Sequence, residues 1–252
     1  DDVSLVSPAT ITEAFDSSDA ALGVGVSISG YALDSAGADV GNYTLVQPDY
    51  VTADISKRVI KVDGLTADNR TYDGTVDATL DTSSATFARP DVLFDLGGDD
   101  EIAIISGDDV SIDTAAGEFV DKNFGNNKDV TLTGITLTGA KAANYEVLIT
   151  EVDGSGNDAA LTFKANITPA PLTITAADVE KIYDGTTDVT DGEAVAGGST
   201  QLFGDDQLSG GTFVFTDANV SRDTDGTVLS DKTVEVSGVT LEDGNSGGNY
   251  TV

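Results

Sequence analysis

FVDKNFGNNKDVTLTGITLTGAKAANY, residues 119–145, is the stretch that decides the fold. Val130 and Leu132 alternate with Thr131 and Thr133, and Ile135 and Leu137 alternate with Thr136 and Thr138. Successive side chains on a strand point to opposite faces, so each run collects its apolar residues on one face and its threonines on the other. Gly134 separates the runs and moves the apolar frame from even to odd positions. One extra residue at a glycine predicts a β-bulge, which bends the strand and returns the apolar side chains to the core. The same frame change recurs at Gly30, between Val24-Val26-Ile28 and Tyr31-Leu33, and at Gly238, between Val234-Val236 and Val239-Leu241. The three glycines are spaced by a constant 104 residues. The chain is therefore a tandem repeat, and its function is expected in the repeat rather than in a single pocket.

Composition narrows the classes further. Of 252 residues, 39% are hydrophobic, with nine Phe, seven Tyr and no Trp. Abundant Gly, Thr, Val and Asp suit short strands joined by tight turns and suit helices poorly. The net charge is −32, from 44 acidic and 12 basic residues. Such a field repels nucleic acid and anionic membranes, because phosphate recognition needs clustered Lys and Arg. It favours solubility and divalent cations. No run reaches the length of a membrane helix, so direct membrane insertion is not expected. The absence of Cys excludes disulfides and thiolate metal sites. Together with the absence of His it removes the common catalytic triads and His-based zinc sites.

Read in order, residues 1–54 form the C-terminal half of a repeat, 55–166 a complete repeat and 167–252 a nearly complete one. Asp2-Val3-Ser4-Leu5 corresponds to Asp109-Val110-Ser111-Ile112, and Phe15 to Phe119. Half a sandwich cannot bury both faces, so residues 1–54 are expected to fray unless something completes them. Tyr72-Asp73-Gly74-Thr75 recurs as Tyr183-Asp184-Gly185-Thr186. Its Asp-Gly pair predicts a type I′ turn, which needs positive φ at both central residues. Each copy closes on an Asn-Tyr pair: Asn42-Tyr43, Asn144-Tyr145 and Asn249-Tyr250. DGSGND, residues 153–158, reads as an inserted hairpin tip, and ITPAP, residues 167–171, as a stiff junction. The chain opens and closes inside repeats, as a piece of something longer would.

These motifs resemble the YDG repeats of large bacterial surface adhesins, the filamentous-haemagglutinin-like proteins of two-partner secretion. ITPAPLTIT (167–175), KIYDGTT (181–187), GDDV (107–110) and GEFVDKNFGNNKDVTLTGITLTGAKAANYEV (117–147) carry the resemblance, which extends over essentially the whole chain. It implies an extracellular or cell-surface setting, a role in adhesion or biofilm formation, and no catalytic residues.

Metal binding is the remaining site chemistry. Calcium takes clustered oxygen ligands, and Asp95, Asp99, Asp100 and Glu101, with Asp108 and Asp109, supply them in one loop region. Asp205 and Asp206 are the second candidate group, with Asp223 and Asp225 behind them. Turn chemistry and surface charge account for the same acids, so no cofactor is required and calcium is the one considered. Asn42, Asn69, Asn166, Asn219 and Asn249 each begin an Asn-x-Ser/Thr triplet.

The expected fold is all-β: tandem Ig-like β-sandwich repeats in an elongated array, with β-grasp-like repeats as the alternative. The expected function is a non-catalytic stalk or spacer. Its rivals are a module that recognises a carbohydrate or a host or partner protein, and a filament subunit completed by strands of neighbouring chains.

Overall fold

The computed structural model describes residues 2–6, 11–47, 51–90, 103–152, 158–230 and 232–252. Among these the regular structure is almost entirely β-strand. The first segment holds β1 (Thr12–Phe15), β2 (Ala21–Ser29) and β3 (Val51–Ile55). The complete repeat adds β4 (Arg58–Asp63), β5 (Thr66–Ala67), β6 (Arg70–Thr71), β7 (Asp77–Asp81), β8 (Thr86–Ala88) and β9 (Ser111–Phe119). It continues with β10 (Gly125–Thr138), β11 (Tyr145–Val147), β12 (Thr150–Val152), β13 (Asp158–Ala160) and β14 (Thr162–Thr168). The last repeat holds β15 (Ala170–Pro171), β16 (Ile174–Ala176), β17 (Ala194–Ala196), β18 (Gln207–Phe215), β19 (Val234–Glu242) and β20 (Tyr250–Thr251). The only helical pieces among the described residues are two 3-10 turns, Val40–Asn42 and Ala142–Asn144, each ending on the Asn of an Asn-Tyr pair. Among the described residues the protein is all-β, in keeping with its strand-length alternation and its abundant Gly, Thr, Val and Asp.

The chain divides into two compact units that are out of phase with the sequence repeat. Asp1–Leu65, Thr82–Ala115 and Gly134–Asp158 make the first; Thr66–Asp81, Ala116–Thr133 and Ala159–Val252 make the second. Each unit draws on two successive copies of the repeat. Residues 1–54 thus group with parts of the complete repeat, yet Val24 is the one buried apolar residue among those described there, and Leu5, Phe15, Leu22, Tyr43 and Val46 stay exposed.

In the first unit β1, β2 and β3 form an antiparallel sheet with β2 central. A second sheet, in the order β11-β4-β8, has β11 parallel to β4 and β8 antiparallel to it. Ile60 and Val62 alternate along β4 and are buried with Leu65 and Tyr145, so the period-2 pattern forms this core.

In the second unit β5, β7, β9, β10, β14 and β6 lie in that order in one sheet, which this unit enters through Ala116–Phe119 and Gly125–Thr133. β14 is antiparallel to β10 (Val130↔Phe163, Gly125↔Ile167) and parallel to β6 (Ile167↔Arg70). Tyr72, Val130 and Ile167 are the most deeply buried of its apolar residues, with at most 1% of their surface exposed. β15 runs parallel to β20, β16 antiparallel to β17, and β18 antiparallel to β19.

Two local expectations are corrected. The frame change at the repeat glycine is real: Val234, Val236, Val239 and Leu241 are all more covered than the residues between them. At Gly238 it is not a bulge, because β18 and β19 keep one register from Gln207↔Glu242 to Phe215↔Val234, with no extra residue on either strand. Gly238, at φ +66°, lies across from Gly211, at φ +111°, and the matched positive-φ residues change the face of both strands together. At Gly134 the frame change serves another end: Val130 and Leu132 belong to the second unit, Ile135 and Leu137 to the first. Nor is the Tyr-Asp-Gly turn type I′. Gly74 and Gly185 take φ +81°, whereas among the described residues other than glycine only Asn127 and Ser246 have positive φ.

Candidate functional site

The recurring Tyr-Asp-Gly turn is built by its side chains. Asp73 Oδ1 accepts the Thr75 N–H at 2.9 Å and the Thr75 hydroxyl at 2.8 Å. Asp184 accepts the same pair from Thr186, each at 2.9 Å. A carboxylate that captures the amide two residues on makes an Asx turn, which leaves only the glycine to supply positive φ. A base three residues before each Asp completes the turn. Arg70 pairs with Asp73 and Lys181 with Asp184, both at hydrogen-bonding range, and each also donates to the Thr two residues beyond its Asp. These donors hold Asp184 down at a pKa of about 2, the Thr186 amide contributing most.

The turn presents its tyrosine. Tyr72 is 1% exposed, and its hydroxyl donates to Asp206 Oδ2 at 2.8 Å. Tyr250, of the last Asn-Tyr pair, donates to the same oxygen at 2.7 Å, and Lys122 Nζ reaches Asp206 Oδ1 at 3.4 Å. The Phe203 N–H donates to the Tyr250 hydroxyl at 2.8 Å. The rings close over the carboxylate: Tyr72 meets Tyr250 edge-on at 5.3 Å and Phe203 edge-on at 6.0 Å. Burial, reinforced by the bond to Asp206, pushes the hydroxyl pKa of Tyr72 and of Tyr250 upward. Hydrogen bonding to Tyr72 raises that of Lys122 against a smaller opposing effect of burial, with the Asp206 charge adding to it. A Cβ on Gly74 would stand 2.9 Å from the Phe203 Cβ, so this glycine is required for contact as well as for conformation.

Beside this cluster lies a joint between successive copies of the repeat. Asn249 is fully buried. Its Oδ1 accepts the Phe124 N–H at 2.8 Å, and its Nδ2 donates to Asn123 Oδ1 at 3.1 Å. Asp243 holds the approach, accepting the N–H groups of Asn245, Gly247 and Asn249 at 2.8 to 2.9 Å. Burial works against that carboxylate's charge, yet the three amides outweigh it and keep its pKa below the usual aspartate value.

The first unit repeats the joint one copy earlier. Asn144 Oδ1 accepts the Ala20 N–H at 2.8 Å, and its Nδ2 donates to Asp19 Oδ1 at 2.8 Å. Lys141 adds a 2.6 Å ion pair to Asp19 and, with Asn144, lowers the Asp19 pKa. Tyr145 then donates to Asp108 Oδ2 at 2.6 Å and accepts the Ile105 N–H at 3.0 Å, the part that Tyr250 plays with Asp206 and Phe203. In both units the strand that follows the Asn returns parallel to the opening strand of its own repeat, Tyr145↔Arg58 and Ala170↔Tyr250. Asn42-Tyr43 closes the first copy on the same 3-10 turn, with Tyr43 half exposed.

Of the acids read as calcium ligands, Asp95, Asp99, Asp100 and Glu101 lie outside the described residues, as do residues 153–157. Asp108 and Asp206 are tyrosine acceptors in different units, while Asp109 and Asp205 are exposed. Asp223 accepts the N–H groups of Asp225 and Thr227 and forms a turn. Among the described residues no three acids converge on a point that could hold a metal. Asn69 and Asn166 spend their side-chain oxygens on the N–H groups of Asn166 and Asn127, and Asn249 is buried, so these three triplets serve the fold.

The receiving half of the joint, Asp19-Ala20 and Asn123-Phe124, went unread in the sequence. Its signal was present: both pairs fall at the 104-residue spacing of the repeat glycines. The turn preceding each is also shared, the Asp19 and Asn123 amides donating to Ser17 and Asp121.

A YDG domain model matches residues 56–154 and again residues 168–252. No curated protein and no solved structure matches the chain. Among the described residues no helix is long and apolar enough to cross a membrane.

Proposed function

Because this chain belongs to the YDG domain family, and because its copies are tied to one another, we propose that it is a non-catalytic spacer segment of a bacterial extracellular adhesin. The single observation that carries this reading is the repeated joint: the closing Asn of one copy seats on the Asp19-Ala20 or Asn123-Phe124 pair of the preceding copy. The bonds join residues 124 to 126 positions apart, so consecutive copies cannot separate without breaking them. A tether that must resist extension needs that property; an enzyme or a compact receptor does not. In this reading each compact unit, drawn from two successive copies, is a β-sandwich-like module of a repeating array, and the charge of −32 keeps neighbouring fibres apart in the extracellular space.

Small-angle X-ray scattering of the whole chain tests the proposal. A spacer gives a rod-like distance distribution, with a cross-section that stays constant when one more repeat is added and a length that grows by a fixed step. A globular distribution would refute it. Calcium at Asp95–Glu101 is a separate proposal, tested by melting the chain with calcium and with excess chelator. A rise in melting temperature with calcium supports a bound ion, and identical curves discard it.

A further inference from the structure

In the second unit, β14 fills a slot between two other strands of the complete repeat. It pairs antiparallel with β10 and parallel with β6, and it buries Ala165 and Ile167, the latter completely. The Tyr72 N–H donates to the Thr168 carbonyl at 2.8 Å, which fastens the end of β14 to the Tyr-Asp-Gly turn.

The walls of the same slot recur in the last repeat. Val234 and Val236 of β19 stand where Val130 and Leu132 stand in β10. Lys232 bonds Asp217 at 2.6 Å as Lys128 bonds Asp121 at 2.6 Å. Lys181, Asp184 and Thr186 rebuild the turn of Arg70, Asp73 and Thr75. Between these walls lies a cleft of about 770 Å³, lined by Val179, Tyr183, Phe215, Leu229, Val234 and Val236 among others. Among the described residues β19 pairs with β18 alone, and its Val234 and Val236 line this cleft. Exposure tracks the difference. Tyr72 is 1% exposed and Tyr183 64%; Val130 is wholly buried, whereas Val234 is only partly covered.

We infer that the cleft is a strand-accepting groove. Its occupant is an extended segment with the β14 pattern, Thr-Phe-Lys-Ala-Asn-Ile-Thr, with small or apolar residues at alternate positions and a positive charge. The segment adds antiparallel to β19 and parallel to Lys181-Ile182, and its last carbonyl accepts the Tyr183 N–H. Strand addition supplies main-chain hydrogen bonds along an open edge, and alternate side chains give the choice of partner. Charge favours it as well, since a cationic segment approaches a chain of net charge −32. The inference rests on the repeat reading of the chain but not on its length or shape.

The test uses the whole chain and a labelled synthetic peptide of residues 159–170, AALTFKANITPA. Saturable binding by fluorescence anisotropy is expected. At ten times the dissociation constant, amide exchange at Tyr183 and between Lys232 and Val236 should slow roughly tenfold. An I167D peptide should not bind, because its carboxylate would enter the position that Ile167 fills in β14. Equal binding of the two peptides, or no protection at Tyr183, overturns the inference. So does a dimer of the chain, seen by light scattering, that excess peptide fails to disperse, since two open edges would then be pairing with each other. A compact scattering profile would refute the spacer and leave peptide binding unaffected.

Discussion

Asn249→Ala and Asn144→Ala remove the same side chain from successive joints, and the structure assigns them unequal costs. Asn249 makes four side-chain hydrogen bonds: from the Phe124 N–H, from Asn245 Nδ2, to Asn123 Oδ1 and to the Asp243 carbonyl. At about 1 kcal/mol net for each, and more where a buried partner is left without water, the loss is about 4 kcal/mol. Asn144 makes two such bonds, from the Ala20 N–H and to exposed Asp19, where water can replace it. Its loss is about 1 to 2 kcal/mol. Native-state hydrogen exchange resolves the two, with the Phe124 amide reporting on one joint and the Ala20 amide on the other. Asn249→Ala should speed exchange at Phe124 about a thousandfold and leave Ala20 within a few-fold of wild type. Equal effects of the two substitutions, or a loss at Phe124 below about 1 kcal/mol, would refute the view that the buried Asn is what fastens the copies.

Tyr72→Phe and Tyr250→Phe each delete one donor to Asp206 and should cost about 1 to 2 kcal/mol in urea unfolding. Because they share one acceptor oxygen, the double variant should depart from the sum of the singles. Gly74→Ala and Gly185→Ala both force Ala to φ +81°, about 1 to 2 kcal/mol. Only the first also drives a Cβ into Phe203, so it should lower the melting temperature by clearly more than the second. Asp243 and Asp184 have folded pKa values below their ordinary ones, so their contribution is present above the unfolded value of about 3.9 and is lost as the pH falls through the folded values. Melting curves from pH 5 to pH 2 should show that decline, and Asp243→Asn should flatten it while lowering stability at pH 7.

The all-β class was legible from the sequence because period-2 alternation is a local signal. Val130 and Leu132, or Ile60 and Val62, announce a buried strand face without reference to anything distant. The Asn-Tyr and Tyr-Asp-Gly motifs were legible as recurrences, but their work was not. Nothing local to Asn249 says that its oxygen receives an amide from residue 124, and nothing local to Tyr72 says that its acceptor is Asp206. The turn type was misjudged for a physical reason. Asp-Gly permits type I′ geometry, but a carboxylate that can reach the amide two residues on selects the Asx turn first. The bulge was misjudged because the frame change at Gly238 is read on one strand, while the compensating Gly211 sits on its partner.

The half-repeat offset between compact unit and sequence copy has a consequence for how such a gene can change. The complete copy carries both parts of the joint, the receiving Asn123-Phe124 pair and the closing Asn144. Unequal recombination that inserts or deletes one whole period returns every receiver to a closer, wherever in the period the crossover falls. A duplication of a single compact unit, by contrast, has no continuous stretch of DNA to copy. Selection on length can therefore act by counting periods, with no joint needing to be redesigned.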